Sequence, residues 1–425
     1  MSRLRDRLER MKRSAGGEEA AADRPQLADS HARPVRADDE FMLRETVYAA
    51  EARHGIYKLG ELAEHEPIVA RAAKSYNANR ALVSHEQLLF LDTETTGLGS
   101  GAGNVPFMIG LGFYEGGTFI VRQLLARHAG EEAAMLAYVQ ELLPRFSHIV
   151  TYNGRTFDWP VLQSRFVLNR LAFDDVYAQL DLLYISRSLW RYSLESCRLG
   201  HVEEKKLGVV READIPGSLA PVVYFQYLAE GDVEVLEGVF RHNELDILTL
   251  ATLSIHMTRL LGGRLELECL PPGELLRAAL WLDACELEPL AERAYAELLS
   301  RPLSATVPYA GQLAAIYKKK RRYDMALPLW EQAVASGRQS LRGLSDDGIA
   351  PLVELAIYYE HQERRYDKAL DYTEEALGRA ERRLALRRLR SSAERQMIEQ
   401  LEKRRARLLR KGGGRRDDLE YTLFS

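Results

Sequence analysis

Gln87-Leu-Leu-Phe-Leu-Asp92-Thr-Glu94-Thr-Thr-Gly97-Leu98 decides how this 425-residue chain is read. Its opening apolar run, residues 88–92, has the length and continuity of a buried β-strand and ends on an acid. Asp92 and Glu94 are two residues apart, so on a strand they project from one face. Like charges so placed repel unless cations neutralise them. Hard oxygen ligands of this kind suit Mg²⁺ or Mn²⁺. Taken alone, Asp-x-Glu is better explained as a strand running out into a polar turn.

Working outward, strands are expected at 105–114 and 118–125, joined at Glu115-Gly-Gly117, a hairpin position. A helix fits 130–143, stopped by Pro144. A strand at 148–152, a helix at 158–170, a short strand at 176–180 and largely helical chain to 262 follow. Three strands and then alternating helix and strand predict an α/β fold with a mixed sheet and flanking helices. Two further acids fall at telling places. Asp158, in Asn153-Gly-Arg-Thr-Phe157-Asp158, opens a helix just after the fourth strand, where N-capping is an adequate structural explanation. His242 and Asp246 are four apart on a helical stretch and share a face; such a pair in isolation is more often structural.

The order of these three elements resembles the DnaQ-like (DEDD) exonucleases. Residues 41–255 are more closely similar to the YprB-type bacterial RNase H-like proteins, which also carry C-terminal tetratricopeptide repeats. The likeness extends to Gly101-Ala-Gly103, Phe157-Asp-Trp-Pro160, Asp181-Leu-Leu, Asp214-Ile-Pro-Gly217 and His242-Asn243. It implies an RNase H-like sheet and two bound ions, Mg²⁺ or Mn²⁺, held by Asp92, Glu94, Asp158 and Asp246. It further implies His242 as general base and Thr95, Thr96, Leu98 and Asn153 as holders of the terminal nucleotide. An ordinary histidine pKa of about 6.5 would suit that base. The spacing His-x3-Asp departs from the superfamily: it has the position of the tyrosine class and the chemistry of the histidine class. Asp181 is read as a helix cap or a support rather than a direct ligand. The implied activity is two-metal, 3′→5′ hydrolysis of nucleic acid in a repair pathway, with DNA placed ahead of RNA and a helicase or other protein as partner. An RNA exonuclease and a non-catalytic repeat scaffold are the alternatives.

After Pro271-Pro-Gly273 the pattern becomes helical and repetitive. Arg322-Tyr-Asp-Met-Ala-Leu327 recurs as Arg365-Tyr-Asp-Lys-Ala-Leu370, and Ala333 and Ala376 follow at the same offset. A weaker copy places Ala291 before them, and the polar stretch 336–348 lengthens the second spacing. Paired helices with small residues at fixed crossing points resemble tetratricopeptide repeats. The expected divisions are a basic segment and linker at 1–40, a nuclease domain at 41–262, repeats at 271–380 and a basic helix and tail at 381–425. Net charge is −4, yet residues 379–416 hold 15 Lys/Arg against 4 Asp/Glu. That stretch is either a salt-bridged helix or a phosphate-tracking tail.

Other classes are disfavoured. No apolar run approaches the roughly 20 residues of a membrane span, and the N-terminus has no apolar signal core. Cys197, Cys269 and Cys285 show no CxxC spacing, which fits a reducing cytoplasm without zinc or disulfides. Gly99-Ser-Gly-Ala-Gly103 lacks the Lys-Ser/Thr of a phosphate loop. Lys205, Lys206 and Arg211 could contact phosphate, with solvated surface as the default reading.

Overall fold

A computed structural model describes residues 31–38, 40–64, 83–97, 103–172, 176–212, 214–339, 348–386 and 392–421, with backbone alone at 31–38, 337–339, 386 and 413–421. The basic helix and linker expected before residue 31, and Leu98 with the glycine-rich loop 98–102, lie outside the described residues.

The apolar run of the quoted stretch becomes β5 (Leu88–Thr95), in the interior of a seven-stranded sheet. The other strands are β1 (His31–Asp38), β2 (Phe41–Tyr48), β6 (Pro106–Glu115), β7 (Thr118–Leu125), β8 (His148–Thr151) and β9 (Ala178–Asp181). A small hairpin of β3 (Arg53–His54) and β4 (Tyr57–Lys58) stands apart. Sheet order is β1-β2-β7-β6-β5-β8-β9, with β5–β8 and β8–β9 parallel and the other pairs antiparallel. This is the mixed α/β sheet that the element order predicts.

Alternation along the strands sends two sets of side chains to opposite faces. Leu89 and Leu91 of β5 with Ile109, Leu111 and Phe113 of β6 pack on α1 (Glu132–Leu142) and α2 (Asp158–Leu168), through Met135, Leu136, Val139, Trp159, Leu162 and Phe166. Toward the other face, Met108 joins Val223 and Tyr224 of α4 (Ala220–Glu230) and Val239 and Phe240 of α5 (Glu237–Leu261), and Phe107, where the β5–β6 register shifts, lies in the same cluster. A further helix, α3 (Leu182–Trp190), follows β9.

Two glycines set how α5 meets the sheet. A Cβ at Gly110 would lie 2.2 Å from Asn243 Oδ1, and one at Gly112 would lie 2.4 Å from Ile247 Cγ2. Asn243 and Ile247 are about 6 Å apart along a helix; two strand residues span about 6.8 Å. The spacings match, so α5 sits directly on bare backbone of β6, beside Asp92, which pairs with Gly110.

Several boundaries differ from expectation for identifiable reasons. β5 continues past Asp92 because β6 goes on pairing with it, Glu94 to Met108 and Thr95 to Pro106 across a register shift. Short 3-10 turns at Ala129–Glu131 and Leu143–Arg145 replace the ends of the helix expected at 130–143. α2 ends at Leu168, before Arg170 takes a left-handed φ of 57°. β1 lies where a linker was expected; its sequence, HARPVRAD, has no apolar alternation, and it enters the sheet by backbone pairing with β2.

The chain divides into two compact units, residues 1–269 with 277–291, and residues 270–276 with 292–425. The longer helices that follow α5 are α6 (Pro272–Ala284), α7 (Glu288–Ser300), α8 (Ala310–Lys319), α9 (Tyr323–Gln339), α10 (Ile349–His361), α11 (Tyr366–Leu386) and α12 (Ser392–Tyr421). Within the second unit α8 packs on α9, α10 on α11 and α11 on α12. Ala326, Ala369 and Ala376 of the repeated pattern are fully buried, while Ala333 is partly exposed. Most of the polar stretch 336–348 lies outside the described residues. Among the described residues no helix is long and apolar enough to cross a membrane.

Candidate metal and catalytic site

β5 delivers Asp92 and Glu94, the start of α2 delivers Asp158, and one face of α5 delivers His242 and Asp246. The fold brings these five close enough that the charges of Asp246 and Asp158 act on both Asp92 and Glu94. Asp92, Asp158 and Asp246 each have a tether of their own. Asn243 Nδ2 donates to Asp92 Oδ2 at 2.9 Å, and its amide is held by Gln123 at 3.0 Å. Asp158 Oδ1 accepts from the Thr93 backbone at 3.0 Å and the Thr93 hydroxyl at 2.5 Å. The N-cap of α2 is Phe157, so capping is not the role of Asp158; its carboxylate is turned toward β5 instead.

Asp246 is tethered by a residue the sequence reading left on the surface. Arg211 donates to Asp246 Oδ1 at 2.5 Å, to both oxygens of Glu203 at 2.5 and 2.8 Å, and to Asp214 Oδ2 at 3.1 Å. Glu203 is 1% exposed and also accepts from Thr249 of α5 at 2.6 Å. His242 Nδ1 lies 2.8 Å from Asp214 Oδ2, and its Nε2 lies 3.6 Å from Asp246 Oδ2.

Three of the expected nucleotide holders close loops. The Thr95 hydroxyl donates to Gly97 O at 2.6 Å, and Thr96 Oγ1 accepts from Val105 N at 3.1 Å. Asn153 takes a left-handed φ of 70°, which asparagine tolerates, and its side chain accepts from Thr156 at 3.0 Å. Asp181 holds that turn through the backbone N–H groups of Asn153 and Arg155 and caps α3 through Leu183 N. The capping role read for Asp181 is the one it fills.

Residues 89–258 match the RNase H superfamily. The chain is also 34% identical over 355 residues to the uncharacterized protein YprB of Bacillus subtilis (strain 168), across 82% of this chain and 83% of YprB. The chain belongs to the RNase H superfamily. Membership points to nucleic-acid hydrolysis with divalent metals, and the RNase H-like sheet described above is the platform for it.

The electrostatics of this RNase H-like site suit cations. Burial, then the charges of Asp246, Asp158 and Glu94, hold Asp92 well above the usual carboxylate range. Burial chiefly, with Asp246 and Asp158 adding and His242 opposing, pushes Glu94 up to about 8. Asp158 is raised to about 6 by burial against the hydrogen bonds from Thr93. Carboxylates resisting ionisation beside one another are hard oxygen donors short of positive charge. Arg211 supplies one cation and is shared with Glu203 and Asp214. Among the described residues no group of three His, Cys, Asp or Glu is arranged to hold an ion as it stands. The donor chemistry fits Mg²⁺ or Mn²⁺, with several of the oxygens engaged by Asn243, Thr93 and Arg211.

The expectation of an ordinary pKa for His242 fails. Burial works against its charge, but the hydrogen bond to Asp214 and the charges of Asp246, Asp214 and Glu94 outweigh it and push the imidazole to about 9. Neutralising the carboxylates would remove much of that field.

Arg211 and Glu203 escaped the sequence reading because nothing local marks them. Glu203 opens a π-helical turn ending at Gly208, and Arg211 lies in irregular chain beyond it. Asn243, Gly110 and Gly112 did carry a signal: an amide beside the candidate base, and two glycines at strand spacing in an otherwise buried strand.

Proposed function

We propose that this chain is a divalent-metal-dependent exonuclease of the DnaQ-like (DEDD) kind that removes nucleotides from the 3′ end of DNA by a two-metal mechanism. The observation that carries this reading is the convergence of Asp92, Glu94 and Asp158, all pushed above the carboxylate range, on Asp246 and His242. Asp92, Glu94, Asp158 and Asp246 would hold two Mg²⁺ or Mn²⁺ ions. Bound there, the ions supply stabilisation of charge building on the phosphate and lower the pKa of the attacking water.

The chain's own groups do the rest. Asn243 keeps Asp92 aimed and Thr93 keeps Asp158 aimed. His242 takes the proton of the attacking water at Nε2, its Nδ1 being engaged by Asp214. Thr95, Thr96, Leu98 and Asn153 hold the terminal nucleotide. In this reading the nuclease domain is 41–262, and tetratricopeptide-like repeats at 271–380 dock a helicase or other repair protein. These finer assignments rest on the family likeness.

Labelled single-stranded DNA and RNA, each with a free or blocked 3′ end, are incubated with the full chain and Mg²⁺ or Mn²⁺. Mononucleotide release from free 3′ ends of DNA is expected, abolished by EDTA. Faster release from RNA would make it an RNA exonuclease, and degradation in EDTA would remove the metal mechanism. Binding of a protein partner with no hydrolysis of either strand would leave the scaffold reading.

A further inference from the structure

Asp214-Ile-Pro-Gly217 is a motif that the acid cluster does not use, yet each of its residues except the proline touches α5. Asp214 Oδ2 receives the His242 imidazole at 2.8 Å. Ile215 packs against the core beneath α5 and over Gly238, where a Cβ would lie 3.1 Å from Ile215 Cγ2. Pro216 precedes a 3-10 turn, Gly217–Leu219, whose Leu219 N donates to Pro216 O at 2.8 Å. A Cβ at Gly217 would lie 3.0 Å from His242 Nε2.

We propose that this turn is a positioning device for His242: Asp214 fixes the proton on Nδ1, and Gly217 leaves Nε2 uncovered toward Asp246. A carboxylate can only accept, so the 2.8 Å contact makes Nδ1 the donor and leaves Nε2 as the nitrogen able to take a proton. A ring free to rotate or to exchange tautomers presents the wrong nitrogen part of the time. The Ile215 anchor holds the turn in register with α5, so the acceptor and the clearance come from one rigid segment. Asp214 is a positioning residue; it acts through His242. This rests on the nuclease reading above, in which His242 is the base.

The geometry also dictates the conservative variant. Arg211 and His242 both donate to Asp214 Oδ2, while Oδ1 has no hydrogen-bond partner among the described residues. An asparagine is therefore steered to keep its oxygen toward both donors and its NH₂ where Oδ1 was. Asp214→Asn should preserve the arrangement; Asp214→Leu, of similar size and without an acceptor, should not.

The test uses the full chain with Mg²⁺ and a 3′-labelled oligonucleotide. Asp214→Leu is expected to lower kcat about 10²-fold, the scale of a lost acid–base group, with KM within about threefold of wild type because substrate contacts are untouched. Asp214→Asn should stay within about fivefold in kcat, since an acceptor remains. Combining Asp214→Leu with His242→Ala should cost no more than His242→Ala alone, because residues acting as a unit are not additive. Additive losses, or a rise in KM at unchanged kcat, would overturn the proposal and leave Asp214 as a partner of Arg211 only. Nitrogen-15 spectra of the histidine side chains, with His242→Ala supplying the assignment, give a readout independent of hydrolysis. Recorded above pH 9, where the ring is neutral, His242 should carry its proton on Nδ1 in the wild type and Asp214→Asn and become a tautomer mixture in Asp214→Leu. Identical spectra in all three would overturn it even where kcat falls. If the wild-type chain hydrolyses nothing, the nuclease reading fails by itself, and the spectra still decide whether Asp214 holds the ring.

Discussion

Two buried carboxylate sites in this chain are treated in opposite ways. In the second unit Glu360 of α10 is 2% exposed and receives Arg404, Arg407 and Lys411 of α12 at 2.8–3.0 Å. Burial alone would raise its pKa; the hydrogen bonds from Arg407 and Lys411 and the surrounding charges reverse that and hold it at about 2. In the first unit Asp92 and Glu94 are pushed up, and Arg211, which reaches their neighbour Asp246, is divided among three acids. A carboxylate given more cations than it needs belongs to the architecture. Carboxylates left short of cations are held at a cost to stability, as expected of a site kept for chemistry.

The largest effect that would break this contrast is on turnover. Asp92→Asn, Glu94→Gln, Asp158→Asn and Asp246→Asn should each lower kcat by about 10³-fold or more, the scale of losing several kcal/mol of charge stabilisation. Near wild-type rates in any two of them, measured on labelled DNA, would place the metal site elsewhere.

Stability should then move in opposite directions. In EDTA, Glu94→Gln is expected to raise the melting temperature, by about 2–4 °C for each kcal/mol of repulsion removed. Glu360→Gln should destabilise by about 1–3 kcal/mol, the range for hydrogen bonds to charged groups, less whatever water restores at the partly exposed Arg407 and Lys411. Calorimetry on both variants settles the signs, and equal signs would dissolve the comparison.

The pH dependence sharpens it. The folded state of Glu94 binds a proton that the unfolded state has released between about 4.5 and 8, so its contribution makes metal-free stability fall as pH rises through that window. Glu360 has the reverse sign: its contribution is present above 4.5 and is lost as pH falls toward about 2. Subtracting each variant's pH–stability curve from that of the wild type should give slopes of opposite sign.

The smallest expected effect concerns the basic segment. Arg404, Arg407 and Lys411 are engaged by Glu360, and Arg379 and Lys403 pair with Glu375 and Glu399. Arg404, Arg407 and Lys411 therefore tie α12 to α10, the Arg379 and Lys403 pairs lie within single helices, and Arg405 and Arg410 are among the cations on the exposed side. If these two track a single strand, Arg405→Ala with Arg410→Ala should flatten the slope of log affinity against log salt by about 0.7 per contact. An unchanged slope would remove Arg405 and Arg410 from any role on the strand.

The family resemblance singled out Asp158, His242 and Asp246; from the residues alone the chain yielded its α/β order and the interior strand that carries Asp92 and Glu94. Those are readable because strand and helix periodicity is local and because a pair of acids ending an apolar run is anomalous within a few residues. The partners that decide how the acids behave were not readable. Arg211 meets Asp246 across 35 residues, Asn243 meets Asp92 across 151, and Arg407 meets Glu360 across 47. Asp158 looks like a cap until Thr93 is placed beside it, and His242 looks like an ordinary imidazole until Asp214 and Asp246 flank it. Charge state depends on burial and on neighbours a few ångströms away, and only the folded chain chooses those neighbours.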